Sequence, residues 1–213
     1  MSETVPTADE FRERYQSDQT PWAIGRPQPA IVRAADRIDG KVLDVGCGTG
    51  ELSLFLAERG HLTLGVDAEE AAIEQARHAK AARGGELPVE FQTHDALDLA
   101  GLNNRFDTVV DCLLFHCFDD EQRIRYVSGL RQVLRPGGTL LLLVFSDQEP
   151  PGDGPRRIAA VDLATSFARG FVCRDLEAVP IEVREADQAM FSDYGPKGWL
   201  AVYERLDDGV LAS

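Results

Sequence analysis

The chain has no run of eighteen or more apolar residues, so no membrane-spanning helix is expected. Basic residues are in deficit: 22 Lys and Arg stand against 36 Asp and Glu, a formal net charge of −14. Affinity for nucleic acid rests largely on neutralising phosphates with Lys and Arg. A DNA or RNA partner and an anionic membrane surface are therefore disfavoured. The densest basic stretch, Arg123, Arg125, Arg131 and Arg135, falls on one expected helix and reads as a solvated outer face. Cysteine is scarce: Cys47, Cys112, Cys117 and Cys173 form no C-x-x-C pair and have no histidine at zinc spacing. Free thiols in a reducing cytoplasm are the simpler reading, so a cytoplasmic protein without disulfides is expected. No acidic triad at oxygen-ligand spacing is visible, and no metal is expected. Repeats, low-complexity tracts and interdomain linkers are missing too. Met1 to Glu10 is polar and acidic, without the basic and apolar regions of a secretory signal. The 213 residues, 44% of them hydrophobic, suit a single domain with a full core.

What is present centres on Val42-Leu43-Asp44-Val45-Gly46-Cys47-Gly48-Thr49-Gly50. It reads as a buried strand that stops at a tight turn and delivers the backbone to the start of a helix. Glycines at alternate positions permit positive φ and let a ligand touch the main chain. A second apolar run, Leu62 to Val66, is capped by Asp67, where a carboxylate can accept from both hydroxyls of a ribose. The order strand, glycine turn, helix, strand, acid is that of a nucleoside-binding half of an α/β sheet. A dinucleotide site would want G-x-G-x-x-G and a helix N-terminus free to hold a pyrophosphate. Here the third glycine comes one residue early and Glu51 stands where that phosphate would sit. A ligand whose polar end carries an ammonium and a sulfonium suits the turn better.

Strand and helix signals then alternate, as a parallel sheet requires. Strands are expected at Val42–Val45, Leu62–Val66, Val89–Gln92, Phe106–Cys112 and Thr139–Phe145, several apolar on both faces. Between them lie Leu52, Phe55 and Leu56 at helical spacing with Gly60 as a stop, and an Ala-rich helix from Glu69 to Ala82. A further helix has Asp119 as N-cap, Gln122 at the capping-box position, and Ile124, Val127, Leu130 and Leu134 on one face. Arg135-Pro136-Gly137-Gly138 stops it. A helix from about Arg156 to Arg169 precedes two candidate strands, Phe171–Val183 and Trp199–Arg205.

Asp44, the Gly46–Gly50 turn and Asp67 closely resemble motif I and the acid that follows it in the class I S-adenosylmethionine-dependent methyltransferases. Leu134-Arg135-Pro136-Gly137-Gly138 before an apolar strand is similar to that family's later segment. The resemblance implies a Rossmann-like α/β sandwich with a seven-stranded, mostly parallel sheet and an antiparallel last strand. It implies one domain over 1–213, with 1–37 as an N-terminal cover and 38–213 as the core. S-adenosyl-L-methionine is the implied cofactor. Asp44, Gly46, Cys47, Gly48 and Gly50 would hold its methionine part, and Asp67 with Ala68 its ribose. Asp95 with Ala96, in Thr93-His94-Asp95-Ala96-Leu97, would meet the adenine, Asp98 being a close competitor.

Asp111 ends the fourth strand and is a further cofactor candidate. Enzymes that methylate base or glutamine amino groups carry Pro-Pro after this position, whereas this chain has Cys112-Leu113, which counts against those substrates. His116 is the candidate catalytic residue, either as a general base titrating near neutrality or as lining beside the methyl donor. Phe115 and Phe118 suggest an apolar surround for it.

Phe11, Tyr15 and Pro21-Trp22-Ala23-Ile24-Gly25-Arg26-Pro27-Gln28-Pro29 look like an ordered cover, and Trp22 could equally be core packing. Trp22 before a Gly-x-Pro resembles the thiopurine, thiol and halide methyltransferase group and bacterial relatives acting on quinone-like or heterocyclic toxin substrates. Phe145-Ser146-Asp147 and Gly154-Pro155-Arg156-Arg157 fit the same group. Tyr15, Trp22, Phe115 and His116 are the expected acceptor-pocket residues. The expectation is metal-independent methyl transfer to a small-molecule thiol, halide, phenol or heterocycle. A non-catalytic S-adenosylmethionine-binding regulatory module, a nucleic-acid or protein methyltransferase and a nucleotide-dependent oxidoreductase are the competing readings. Nothing in the sequence speaks to oligomeric state.

Overall fold

The computed structural model describes residues 8–17, 20, 22–150, 155–192 and 195–207. Pro21 and Gly154 lie outside the described residues, as do the side chain of Phe11 and the first seven residues. The seven strands are β1 (Val42–Val45), β2 (Thr63–Asp67), β3 (Val89–Thr93), β4 (Phe106–Cys112), β5 (Leu134–Phe145), β6 (Phe171–Pro180) and β7 (Lys197–Arg205). They form one sheet in the order β3-β2-β1-β4-β5-β7-β6. β1 pairs in parallel with β2 and β4, β2 with β3, and β4 with β5, whereas β7 runs antiparallel to both β5 and β6. This is the expected α/β architecture with its antiparallel last strand.

Because both faces of the central strands are covered, successive residues alternate between two cores. Leu43, Val109, Leu140 and Leu142 join one core with Tyr126, Leu130 and Phe167. Val42, Val110, Leu141 and Leu143 join the other with Ile31, Leu52 and Leu56. The helices are α1 (Ala8–Gln16), α2 (Pro29–Arg33), α3 (Glu51–Glu58), α4 (Glu70–Arg83), α5 (Asp120–Val133) and α6 (Ala160–Ser166), with α2, α3 and α5 supplying Ile31, Leu52, Leu56, Tyr126 and Leu130.

α5 starts at the expected capping box: Asp119 accepts from the Gln122 N–H at 2.8 Å while Gln122 Oε1 accepts from the Asp119 N–H at 3.0 Å. Its buried face differs from the expected one. Arg123, Tyr126, Val127, Leu130 and Val133 point inward, and Ile124 is 75% exposed. Leu134 already belongs to β5, pairing with Phe106 before the register jumps to Thr139 opposite Thr108. Arg135-Pro136-Gly137-Gly138 is therefore a bulge inside an early-starting strand. The expected helix from Arg156 shrinks to α6, because Ile158 is held in an extended bridge to Ser146. The last two strands become β6, ending at Pro180, and β7, starting at Lys197.

Candidate functional site

The C-terminal ends of β1, β2 and β4 carry the site. The glycine turn after β1 is built as expected, with Gly46, Gly48 and Gly50 at φ of 71°, 53° and 89°. Gly50 is required on a second count, since a Cβ there would stand 2.8 Å from the Phe91 ring and 2.9 Å from Ala76 Cβ. Glycine alone therefore lets the turn reach α3 while α4 and β3 close underneath it.

Three acids shape this turn. Asp67 Oδ2 accepts from the Gly48 N–H at 2.9 Å, and Oδ1 accepts from the Glu69 N–H at 3.0 Å. It thus braces the turn and caps the approach to α4, with lone pairs left for a ligand. Burial raises its pKa, partly countered by these backbone donors. Asp44 is buried beneath the turn and accepts from the Ser53 hydroxyl at 2.6 Å. Desolvation pushes its carboxyl up to about 7, the Ser53 bond opposing the shift. Glu51 accepts from the Thr49 hydroxyl at 2.7 Å.

A cavity opens beside the turn. Asp44, Gly46, Cys47, Gly48, Thr49 and Glu51 form its floor, and Cys112 and Leu113 close it from β4. Tyr15, Trp22, Ile24 and Pro27 of the N-terminal segment form the facing wall. Tyr15 and Trp22 meet edge to face at 6.2 Å, so the expected cover is an ordered wall of the cavity. The Tyr15 hydroxyl stands 3.1 Å from where a Cβ on Gly48 would sit. Two acids on a glycine floor, opposite aromatic and aliphatic groups, fit a ligand with a cationic end and an apolar remainder. That is the chemistry of S-adenosylmethionine's methionine part.

The remaining expected residues divide. Asp95 is exposed and caps a 3-10 turn over Ala96–Leu102, accepting from the Leu97 N–H at 2.8 Å, with Ala96 half-buried beside it. Ala68 is exposed and follows Asp67 directly. Asp111, expected at the cofactor, is fully buried and already engaged by the structure. It accepts from the Leu114 N–H at 3.0 Å, the Phe115 N–H at 3.2 Å and the Tyr126 hydroxyl at 2.8 Å. These bonds hold the turn after β4, where Leu113 sits at φ 71° against the usual preference of a non-glycine residue. Asp111 thus supports the cavity wall from behind.

Phe115, expected in the acceptor pocket, points the other way. It is fully buried in the core, with ring partners Tyr126 at 6.3 Å and Phe167 at 5.5 Å. Phe118 likewise packs on Tyr126, at 4.9 Å. The apolar surround of His116 comes instead from Phe145 and Phe191, which sequence reasoning missed. His116 meets Phe145 edge to face at 5.0 Å, and Phe145 stacks on Phe191 at 5.4 Å. The position of Phe145 at the carboxyl end of a central strand was the available signal. His116 is 5% exposed, and burial with the charges of Arg123 and Arg157 lowers its pKa to about 3. Among the described residues, no group of three His, Cys, Asp or Glu side chains is arranged to hold a metal ion. No described helix is long and apolar enough to cross a membrane.

The chain is similar to known proteins. A family model described as a methyltransferase domain matches residues 42–138. The 2-heptyl-1-hydroxyquinolin-4(1H)-one methyltransferase of Mycobacteroides abscessus is 34% identical over 179 residues, covering 79% of this chain and 78% of that protein. Thiocyanate methyltransferase 1 of Brassica oleracea is 27% identical over 162 residues, covering 75% and 71%. A solved structure from work on the conversion of a disulfide bond into a thioacetal group during echinomycin biosynthesis is 32% identical. It superposes with a TM-score of 0.81 over 96% of both chains.

Proposed function

The chain belongs to the S-adenosylmethionine-dependent methyltransferases, and from that premise we propose that it methylates a small-molecule acceptor at a sulfur or an acidic oxygen. The observation that carries this reading is the cavity itself, acidic at its floor and walled by Tyr15, Trp22, Ile24 and Pro27. A wall this close to the glycine turn suits an acceptor of modest size. Relatives named for an N-hydroxyquinolone and for thiocyanate point to the same class.

The chain's residues divide the work. Asp44 and Glu51 take the ammonium end of the cofactor, the main chain of Gly46, Cys47, Gly48 and Gly50 lies along its methionine part, and Asp67 and Ala68 receive the ribose. Asp95 and Ala96 border the adenine. Tyr15 and the segment from Trp22 to Gln28 act as a cover on a single catalytic domain. When bound, S-adenosylmethionine supplies an electrophilic methyl group on a positively charged sulfur. The site holds the acceptor in line with that group, and positioning of this kind contributes about 7–11 kcal/mol to catalysis. With its pKa at about 3, His116 is neutral and serves as lining and hydrogen-bond donor, leaving proton removal to the acidity of the acceptor.

The test is a transfer assay with labelled donor on a panel of thiols, halides, phenols and N-hydroxy heterocycles, with calorimetry of S-adenosylhomocysteine and NAD. Transfer to at least one member and binding of S-adenosylhomocysteine alone are expected. Binding of NAD in its place, or no transfer to any acceptor, overturns the reading.

A further inference from the structure

Sheets of this kind take their ligands at the carboxyl ends of the strands. At those ends Cys112 and Leu113 close the cavity from β4, and Phe145 ends the neighbouring strand β5. Cys112 and Leu113 pack against the apolar cluster that contains Phe145, and so does Phe191. Phe191 lies flat on Phe145, with ring centres 5.4 Å apart and planes 8° from parallel. It is only half-buried. An apolar wall therefore runs on from the cofactor cavity, past β4, and ends in a ring that is still partly open.

Phe191 belongs to the stretch of chain between β6 and β7, and that stretch is latched. Its base is closed by the Ile181 N–H, which donates to the Pro196 carbonyl at 2.9 Å. Near its start, the Glu182 backbone pairs with Gln28 of the cavity lining. Glu149 holds the other end: one carboxylate oxygen accepts from the Ser192 N–H at 2.7 Å and the other from the Ser192 hydroxyl at 3.0 Å. Glu149 is 2% exposed and sits in a tight turn, its own N–H donating to the Ser146 carbonyl at 3.1 Å. Ser146 directly follows Phe145, and Ser192 directly follows Phe191. The carboxylate thus ties the turn after one ring of the stacked pair to the residue after the other.

A carboxylate taken out of water is costly unless hydrogen bonds replace its hydration. Both oxygens here grip a single serine, and charge-assisted bonds of this kind are short and directional. Apolar packing would hold the loop without the desolvation cost, but it would fix the loop less sharply. We propose that Glu149 is a positioning residue for methyl transfer. Through Ser192 it holds Phe191 as the wall against which a ring-bearing acceptor lies. This rests on the methyl-transfer reading above and adds what selects the acceptor. Aromatic rings gain from a fixed ring partner beyond the area they bury, and an aliphatic acceptor does not. A ring fixed beforehand also spares the acceptor the cost of ordering the loop, so the effect belongs to binding.

The test uses the full chain saturated with S-adenosylmethionine, with thiophenol and 2-mercaptoethanol as paired acceptors, read by steady-state kinetics. Phe191→Ala and Glu149→Ala should each raise KM for thiophenol by about fivefold, as an aromatic pair of ordinary strength implies. The rise for 2-mercaptoethanol should be clearly smaller, and kcat should change less than KM. Glu149→Gln, whose amide can accept from the Ser192 N–H and donate to its hydroxyl, should recover most of the loss. Because Glu149 acts through the ring, adding Glu149→Ala to Phe191→Ala should raise KM no further. If Glu149→Ala fails to fold, Ser192→Ala replaces it in the cycle, with a smaller rise in the same direction because only the hydroxyl bond is lost. Unchanged KM, equal losses on both acceptors, or additive losses in the double variant overturn the inference and leave methyl transfer standing. A wild type that methylates neither thiol overturns it too, and the wider acceptor panel above then judges methyl transfer separately. No transfer to any member of that panel overturns both.

Discussion

Gln28 and Glu182, 154 residues apart, exchange two hydrogen bonds: Gln28 Nε2 donates to the Glu182 carbonyl at 2.7 Å, and Gln28 Oε1 accepts from the Glu182 N–H at 3.0 Å. Arg26 adds an ion pair to the Glu182 carboxylate at 2.5 Å. The segment walling the cofactor cavity is thereby tied to the chain leaving β6. Gln28→Ala removes both bonds to the half-buried Glu182 backbone, each worth about 0.5–1.5 kcal/mol net. We expect a fall in unfolding free energy of about that size and faster release of S-adenosylhomocysteine, both measurable by denaturation and stopped-flow fluorescence of Trp22. An unchanged off-rate would show that the cover does not govern access.

Asp67 holds the glycine turn through the Gly48 N–H, and in the function proposed above it accepts from the cofactor ribose. Asp67→Ala should remove two charge-assisted bonds to the ribose, each worth about 1.5–3 kcal/mol, and raise the dissociation constant for S-adenosylhomocysteine by about two to four orders of magnitude. Asp67→Asn, whose amide oxygen can still accept from Gly48, should lose less. Calorimetry on both variants checks this. Equal affinity in wild type and Asp67→Ala would reduce the residue to a cap on α4.

The glycine turn, Asp44 and Asp67 were legible in the sequence because they are local: each lies at the end of a strand visible as an apolar run. The strand order was legible only through the family resemblance, since nothing in residues 171–205 alone says that β7 inserts between β5 and β6. Direction within the loop after β4 was not legible. Phe115 and His116 are neighbours, yet one enters the core with Tyr126 and the other meets Phe145 on the opposite side. The burial of Arg123 escaped notice for a related reason. Arginine on a charged helix reads as solvent-facing until the ring beneath it is known. The Gln28–Glu182 tie joins segments that no local pattern connects.

Gly50→Ala tests the turn's packing. The substitution meets both a left-handed backbone and a contact at 2.8 Å from Phe91. A non-glycine residue in such a backbone costs about 1–3 kcal/mol before any displacement of the ring. Loss of at least that much stability is expected in chemical denaturation, with weakened cofactor binding. Full stability would mean that α4 and β3 can draw back.

Asp44 gives cofactor binding a pH signature. Its pKa, about 7 in the folded chain against 3.8 ordinarily, means that between those values the folded state holds a proton that the unfolded state has lost. Stability of the cofactor-free protein should thus fall as pH rises through this window. Asp111, at about 6, acts with the same sign, while His116 acts with the opposite sign between about 3 and 6.5. If Asp44 meets the cofactor's ammonium as a carboxylate, binding below pH 7 must release its proton. Affinity for S-adenosylhomocysteine should then weaken up to about tenfold per unit as pH falls below 7. Asp44→Asn should flatten that dependence, and calorimetry in buffers of different ionisation enthalpy would count the proton. A pH-independent wild type would remove Asp44 from the ligand contact.

His116 separates base catalysis from positioning. Desolvation, followed by the charges of Arg123 and Arg157, puts its pKa at about 3, so it stays neutral at any practical assay pH. So weak a base gains little from accepting a proton in the transition state, because catalytic efficiency follows base strength. His116→Ala should therefore change a phenol and a thiol acceptor to similar extents, chiefly through KM, as loss of binding shared by ground and transition states. No inflection near 6.5 should appear in the wild-type kcat/KM profile on its account. A true general base predicts a different pattern: a loss of about 10²–10⁴ in kcat, confined to the weakly acidic phenol. Steady-state kinetics of the variant on one phenol and one thiol, each measured across its own pKa, distinguish the two. The buried setting against Phe145, beside two cations that resist a third positive charge, argues for the first.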